Sequence, residues 1–287
     1  MKKLFKALAV SLAILMVLGG CSSNQGGENN NTPVVEDKGV LLMATTTSTA
    51  DTGLLDYLAP IFKQDTGYTL EWSAVGTGEA INMGKNGDVS VILVHAKASE
   101  EEFVNEGYGV ERFEVMYNDY IVIGPKESVA YSNDIEATFK AVVDNELKWV
   151  NRGDNSGTDK KERQIWKALG IDPATNPNYV ESGQGMGATI NMADEQMALC
   201  LTDRGTYLKV KNDATLGIEL EIICEKDDNL LNQYGVIAVS PDKYPDTDIE
   251  GANAFIEWIC SEKIQALIGE FGVDKYGQPL FFPNAKK

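Results

Sequence analysis

The chain has 287 residues, 43% hydrophobic and 24% charged, with a formal net charge of −18 at pH 7. That apolar content excludes a wholly disordered chain, and so acidic a surface excludes nucleic acid and anionic lipid as partners. One histidine and four cysteines without any Cys-x-x-Cys spacing exclude a zinc site.

At the start, Lys2, Lys3 and Lys6 precede an apolar run from Ala7 to Leu18, the layout of a secretory signal. The run is too short for a permanent membrane helix. It ends in Leu18-Gly19-Gly20-Cys21, which resembles a bacterial lipobox. Residues 1–20 are therefore expected to be a lipoprotein signal peptide, with Cys21 as the lipidated mature N-terminus. An ordinary cleavage nearby would instead leave Cys21 a free thiol. Loss of residues 1–20 removes three lysines and no carboxylate, lowering the formal charge from −18 to −21. Residues 21–38 are polar, with Gly26, Gly27, Asn29, Asn30 and Asn31, and read as a flexible tether. Stretched from Ser22 to Lys38, it would reach about 55 Å.

The remainder alternates strands and helices. Val40–Ala44 reads as a strand, and Leu54, Leu55, Leu58, Ile61 and Phe62 mark one face of a helix ending near Gly67. Tyr68–Ala74 is the next strand, followed by Gly76-Thr77-Gly78 and a short helical stretch to Gly84. Val89–Val94 is a continuous apolar run, as for a strand covered on both faces. This order predicts a parallel sheet flanked by helices. Phe113–Ile123 reads as a long strand closed by Gly124-Pro125. A second series comprises Leu147–Val150, a helix after Ser156, a helix after Gly187 and a strand over Met197–Leu201. Tyr234–Val239 is a further strand, and Ala254, Phe255, Trp258 and Ile259, then Ile264, Leu267 and Ile268, keep helical spacing. The pattern predicts an α/β protein of two lobes, residues 39–124 plus 232–287 and residues 125–231. The crossings would lie near Ile123–Lys126 and Leu230–Gln233.

Ligands of open parallel sheets sit at the carboxyl ends of the strands. Four loops take that position: Thr45-Thr46-Thr47-Ser48, Gly76-Thr77-Gly78, Asn151–Asp159 and Gly183-Gln184-Gly185-Met186-Gly187. All offer hydroxyls or close backbone approach. The third carries most information. Arg152 keeps its charge and donates from a planar fork, and Ser156 with Asp159 reads as a capping-box variant. Thr158 then falls in the first helical turn, where unpaired N–H groups suit an anion. A plain capped surface loop, with Arg152 bridging to Asp154, would have the same residues. Because the overall field is repulsive, an anion site must act through nearby donors, distant charge being screened over about 8–10 Å.

These residues resemble the extracytoplasmic solute-binding proteins of ABC uptake systems, and within them the tungstate-binding branch. The resemblance is carried by Thr45–Ser48, Val75–Gly78, Asp119–Pro125, the arginine loop, Gly183–Gly187 and Leu201–Gly205. It runs in order from about Leu42 to Ser240. Arg152, Ser156, Gly157 and Thr158 form an Arg-x-x-x-Ser-Gly-Thr element shared with phosphate-binding proteins, so the threonine run is the narrower signal. The resemblance implies a two-lobed periplasmic-binding-protein-like fold of type II, each lobe a sheet flanked by helices, joined by two crossover strands. It implies a monomer without cofactor that closes on one tetrahedral dianion and presents it to a membrane permease. The implied contacts are Thr46, Thr47 and Ser48, then Thr77, and across the cleft Arg152 and Thr158, with Ser156 and the backbone at Gly185 and Met186. Tungstate and molybdate carry no proton near neutral pH, so such a site needs donors only. A carboxylate in the cleft, from Asp154 or Asp159, would favour phosphate instead.

The rival class is a secreted hydrolase using His95, the sole histidine, which follows the strand ending at Val94. Neither Ser48 nor Ser156 sits in a Gly-x-Ser-x-Gly elbow, and a P-loop lysine pattern is lacking. His95 then reads as a structural residue or a donor on the cleft wall. Trp72, Trp149, Trp166 and Trp258 read as core, Glu100–Glu102 as a solvated helix start, and Arg204 as paired with Asp203. Cys200, Cys224 and Cys260 read as buried apolar residues or as one disulfide with a thiol left over.

Overall fold

The computed structural model describes residues 35–286. The signal segment, Cys21 and the tether as far as residue 34 lie outside the described residues. Strand β1 (Gly39–Thr46) leads into α1 (Thr47–Asp51) and α2 (Leu54–Thr66), followed by β2 (Tyr68–Val75), α3 (Thr77–Asn86), β3 (Val91–Val94) and α4 (Lys97–Asn105). Then come β4 (Gly109–Gly124), α5 (Ile135–Asp144), β5 (Trp149–Asn151), α6 (Gly157–Leu169), β6 (Tyr179–Glu181) and α7 (Met186–Gln196). β7 (Cys200–Asp203), α8 (Arg204–Lys211) and β8 (Glu221–Cys224) precede β9 (Leu231–Val239). Helices α9 (Ile249–Ile259), α10 (Glu262–Glu270) and α11 (Val273–Tyr276) and strand β10 (Phe282–Pro283) complete the described chain.

The larger sheet has the order β10-β4-β9-β3-β1-β2, with β7 and β8 pairing only with β4. β1 is parallel to both β2 and β3, so the loops after all three emerge at one edge. That common edge is what brings Thr46, Thr77 and His95 together. β4 changes partners along its length. Gly109–Asp119 pairs with β9, whereas Tyr120–Gly124 pairs with β7 and β8. The change falls at Asp119/Tyr120, ahead of the expected crossing near Ile123–Lys126, because Phe113–Ile123 is the inner part of a longer strand. β5 and β6 form a separate parallel pair.

Helix α2 buries Leu54, Leu55, Leu58 and Phe62 against the first sheet, each contributing about 1.5–3 kcal/mol. It stops at Gly67, which has φ +88° and lies where an added Cβ would sit 2.1 Å from the Glu36 carbonyl oxygen. Glycine alone allows both the left-handed turn and that approach. Residues 35–38 accordingly lie along the domain: the Lys38 N–H donates to Gly67 O at 3.1 Å and Lys63 pairs with Asp37. A second core gathers Phe139, Trp149 and Trp166, with ring centroids 4.3–5.8 Å apart. Beneath them Glu162 is buried, its Oε1 accepting from Trp149 Nε1, Trp166 Nε1 and the Tyr179 hydroxyl at 2.9–3.0 Å.

Several expectations need correction. The strand expected over Met197–Leu201 starts at Cys200, because Met197 takes a left-handed conformation (φ +52°) at the end of α7. Trp149, Trp166 and Trp258 are core residues, while Trp72 is only half-buried. Glu100 is not solvated: it is fully buried and paired at 2.7 Å with Arg112 Nε, while Glu101 and Glu102 are exposed. Arg204 does not bridge to Asp203; it binds Asp119 through both Nε and Nη2, and Glu225 as well. Asp203 instead caps α8, accepting from the Thr206 N–H at 2.8 Å. Cys200, Cys224 and Cys260 are all free thiols, the first two buried and the third half-buried. No helix among the described residues is long and apolar enough to cross a membrane.

Candidate anion-binding site

Thr46 is the last residue of β1 and the N-cap of α1. Its Oγ1 accepts from the Thr49 N–H at 3.2 Å and lies 2.7 Å from Thr49 Oγ1, 3.1 Å from Ser48 Oγ and 3.1 Å from His95 Nε2. Thr45 points the other way and donates to Leu93 O at 2.7 Å. Within the threonine run, Thr46 and Thr47 therefore reach the cavity and Thr45 does not. Thr77 opens α3 behind Gly76 and is buried.

From the second series, Arg152 follows β5 and is 8% exposed. Its Nη2 donates to Asp154 Oδ2 at 2.5 Å, while its buried Nε has no acceptor. Ser156 caps α6, its Oγ accepting from the Asp159 N–H at 3.3 Å. Asp159 closes the turn from the other side, taking the Asn155 N–H on Oδ2 and Arg163 Nε on Oδ1. Both acids are thus occupied by the loop and, for Asp159, by Arg163 of α6, with Asp154 also accepting from the Ser156 N–H.

These pieces enclose a cavity of about 20 Å³ of room for atom centres, lined by Thr46, Thr47, Ser48, Val75, Gly76, Thr77, His95, Arg152, Ser156, Gly157 and Thr158. Seven of the nine residues expected as contacts line it. Gly185 and Met186 do not. Gly185 is an exposed cap of α7 and Met186 packs into the main core. The reason is visible in the backbone: the Ser182 and Gly183 N–H groups donate to Asn151 O and Arg152 O at 2.8 Å. That loop buttresses Arg152 from behind. No carboxylate lines the cavity among the described residues, so the lining offers hydroxyls, backbone amides, one guanidinium and one imidazole.

His95 ties the walls together. Its Nδ1 is 3.0 Å from Asn232 Oδ1, and Asn232 Nδ2 donates to Asn118 Oδ1 at 2.7 Å. Burial, reinforced by the nearby Arg152 charge, pushes the ring down to about 4 against the hydrogen bond to Asn232, so it is neutral at pH 7. His95 is legible at a strand end in the sequence, whereas Asn118, Tyr120 and Asn232 behind it are not singled out there. Asparagines inside strands, where they are normally depleted, were the available clue.

Gly157 touches the same ring: a Cβ built there would lie 2.8 Å from His95 Cε1. Gly157→Ala should therefore push α6 and β3 apart at the cavity, an overpacking of about 1–3 kcal/mol. We expect anion affinity to fall about tenfold or more, and the melting temperature of the free protein to drop by roughly 2–10 °C; calorimetry with tungstate checks the first and a thermal melt the second.

Such a cavity at the carboxyl edge of a parallel sheet, walled from two strand–helix series, presents a donor-rich lining whose chemistry suits a small anion. The PBP superfamily domain matches residues 24–263. The chain is 49% identical to the "Tungstate-binding protein TupA" of Peptoclostridium acidaminophilum, covering all of both chains. Among solved structures, the "Tungstate binding protein - TupA" from Desulfovibrio alaskensis G20 is 44% identical with a TM-score of 0.80, over 86% of this chain and 99% of that one. The tungstate ABC transporter structure from Geobacter sulfurreducens is 40% identical with a TM-score of 0.72, over 81% and 98%. The chain belongs to the PBP superfamily, in the family of the TupA proteins.

Proposed function

We propose that the protein binds tungstate in this cavity and delivers it to the permease of an ABC uptake system. The observation that carries the reading is the lining itself: hydroxyls of Thr46, Thr47, Ser48, Thr77, Ser156 and Thr158 with Arg152, whose Nε–H is unpaired, and no carboxylate. A dianion without protons accepts at every oxygen, and charge-assisted bonds to it are the stronger kind. The names of the relatives support tungstate as the cargo. Molybdate has the same charge and shape, and the hydrogen-bond geometry suits both. Asp154 and Asp159, turned into their own loop, take away the argument for phosphate.

In the same reading the strands crossing at β4 and β9 join two lobes, residues 39–124 plus 232–287 and residues 125–231, that close on the anion. The protein acts outside the cytoplasm as a monomer, released by cleavage after residue 20 and held by lipid at Cys21 through a tether that ends before residues 35–38, which lie along the domain. It needs no cofactor and turns nothing over; its partners are the oxyanion and the permease.

A thermal-shift series with tungstate, molybdate, sulfate and phosphate tests the cargo. A ligand at a hundred times its Kd stabilises the native state by about 2.7 kcal/mol, raising Tm by roughly 5–10 °C for a chain of this size. Tungstate should give the largest shift. Equal shifts with all four, or none, would refute the assignment.

A further inference from the structure

Within a lining of donors, His95 is the exception. The Asn232 side chain is oriented by its neighbours, Nδ2 donating to Asn118 Oδ1 and Oδ1 receiving the Tyr120 hydroxyl at 3.3 Å. Oδ1 therefore accepts from His95 Nδ1, which must carry the hydrogen, and in a neutral ring Nε2 is then bare. Hydrogens for Nε2 come from the hydroxyls of Thr46 at 3.1 Å and Ser48 at 3.4 Å. An anion in the cavity needs those same hydrogens, and each hydroxyl has one to give. If they turn to the anion, Nε2 is left as an unpaired buried acceptor beside two negative charges, which is costly. A proton on Nε2 removes both penalties. The ring then donates to the Thr46 and Ser48 oxygens and stands as a second cation opposite Arg152.

Building on the anion-binding reading, we infer that His95 takes up one proton from water with each dianion bound, changing from hydrogen-bond acceptor in the empty site to donor in the filled one. No bond to the anion forms or breaks. The groups facing the ring agree with this. The Arg152 charge, itself paired with Asp154, opposes protonation only while the site is empty. Tyr120 and Tyr234 are phenols whose burial raises them, so both stay neutral. Thr46 and Ser48 on the β1–α1 side and Gly157 on α6 carry no charge. Two buried acids stand close to the ring and are the rival proton acceptors. Glu100 takes the Ala96 N–H beside His95, pairs with Arg112 and is raised by burial to about 7. Burial also raises Asp203, and its Oδ2 lacks a partner.

The sign follows. Neutral when empty, with the free ring near 4, and protonated when filled, the ring makes binding weaken as pH rises. Between pH 6 and 8 the Kd for tungstate should climb toward about tenfold per pH unit. Calorimetry across that range, in buffers of differing ionisation enthalpy, should register uptake of close to one proton per anion. His95→Gln should abolish both the uptake and the pH slope, while Asp203→Asn, which preserves the helix cap, keeps both. Tight binding with a flat Kd and buffer-independent heats would overturn the inference and leave the anion site standing. Failure to bind any of the four oxyanions would overturn the site itself. Uptake that survives His95→Gln but disappears in Asp203→Asn or in Glu100→Gln would move the proton to that acid and likewise overturn it. Should His95→Gln not fold, nitrogen-15 NMR of the unmodified protein decides, since its sole histidine gives one pair of ring signals. An imidazolium in the tungstate complex at pH 7 supports the inference; a neutral ring there overturns it.

Discussion

Replacing Arg152 by alanine should weaken tungstate binding by about 100- to 10,000-fold, since two charged hydrogen bonds contribute about 1.5–3 kcal/mol each. The effect has a second component. Arg152 neutralises Asp154 at 2.5 Å, and without it that carboxylate turns a neutral corner of the cavity into a repulsive one. Arg152→Lys should fall between, because an ammonium keeps the charge but cannot serve Asp154 and the ligand from one plane. The fold should hold in both variants, as the residue sits in a loop whose backbone is fixed by the Ser182 and Gly183 amides. Titration calorimetry, with circular dichroism as the control, measures both claims; unchanged affinity in Arg152→Ala would remove the site.

The largest loss of stability is expected one helical turn along α6 from Thr158. In Glu162→Leu, two indole N–H groups and the Tyr179 hydroxyl lose the single oxygen that accepts all three. At about 1–3 kcal/mol per orphaned buried donor, the three together cost about 3–9 kcal/mol, or roughly 6 °C or more in Tm for a protein of this length. Glu162→Gln retains an acceptor and should lose much less. Burial, opposed by those donors, raises the Glu162 carboxyl to about 7. Because the folded value exceeds the unfolded one, its contribution is complete below the ordinary carboxylate range and is lost as pH rises through 7. The Gln variant should therefore show a flatter dependence of Tm on pH between 5 and 8. A melt of Glu162→Leu within a degree or two of the parent would contradict the assigned network.

Much of the cavity was legible because its logic is local. A parallel strand followed by a helix places the intervening loop at one edge, and Thr46, Thr77 and Thr158 follow from reading where strands end. Amphipathic spacing likewise predicts α2, α6 and α9, each of which buries its apolar face. What stayed hidden depends on residues far apart in the chain. Arg204 offered only its neighbour Asp203 as a partner, while the real ones, Asp119 and Glu225, lie 85 and 21 positions away. Glu100 looked solvated because the strand carrying Arg112 packs against it only in three dimensions. The glycines of residues 183–187 do not mark a close approach: a Cβ at Gly183 or Gly185 would meet nothing within 4 Å, and Gly183 serves instead a left-handed turn whose amide reaches Arg152 O. His95 was visible as a strand-end residue, yet its tautomer is set by Asn232, 137 positions further on.

Strand β4 has a consequence for how the molecule comes apart. Its first part carries the ladder to β9 and β10 and its last part the ladders to β7 and β8. Neither sheet can melt while leaving that strand in place for the other. Heat should therefore dissolve the structure in one cooperative step, without a half-folded species exposing a free strand edge to aggregation.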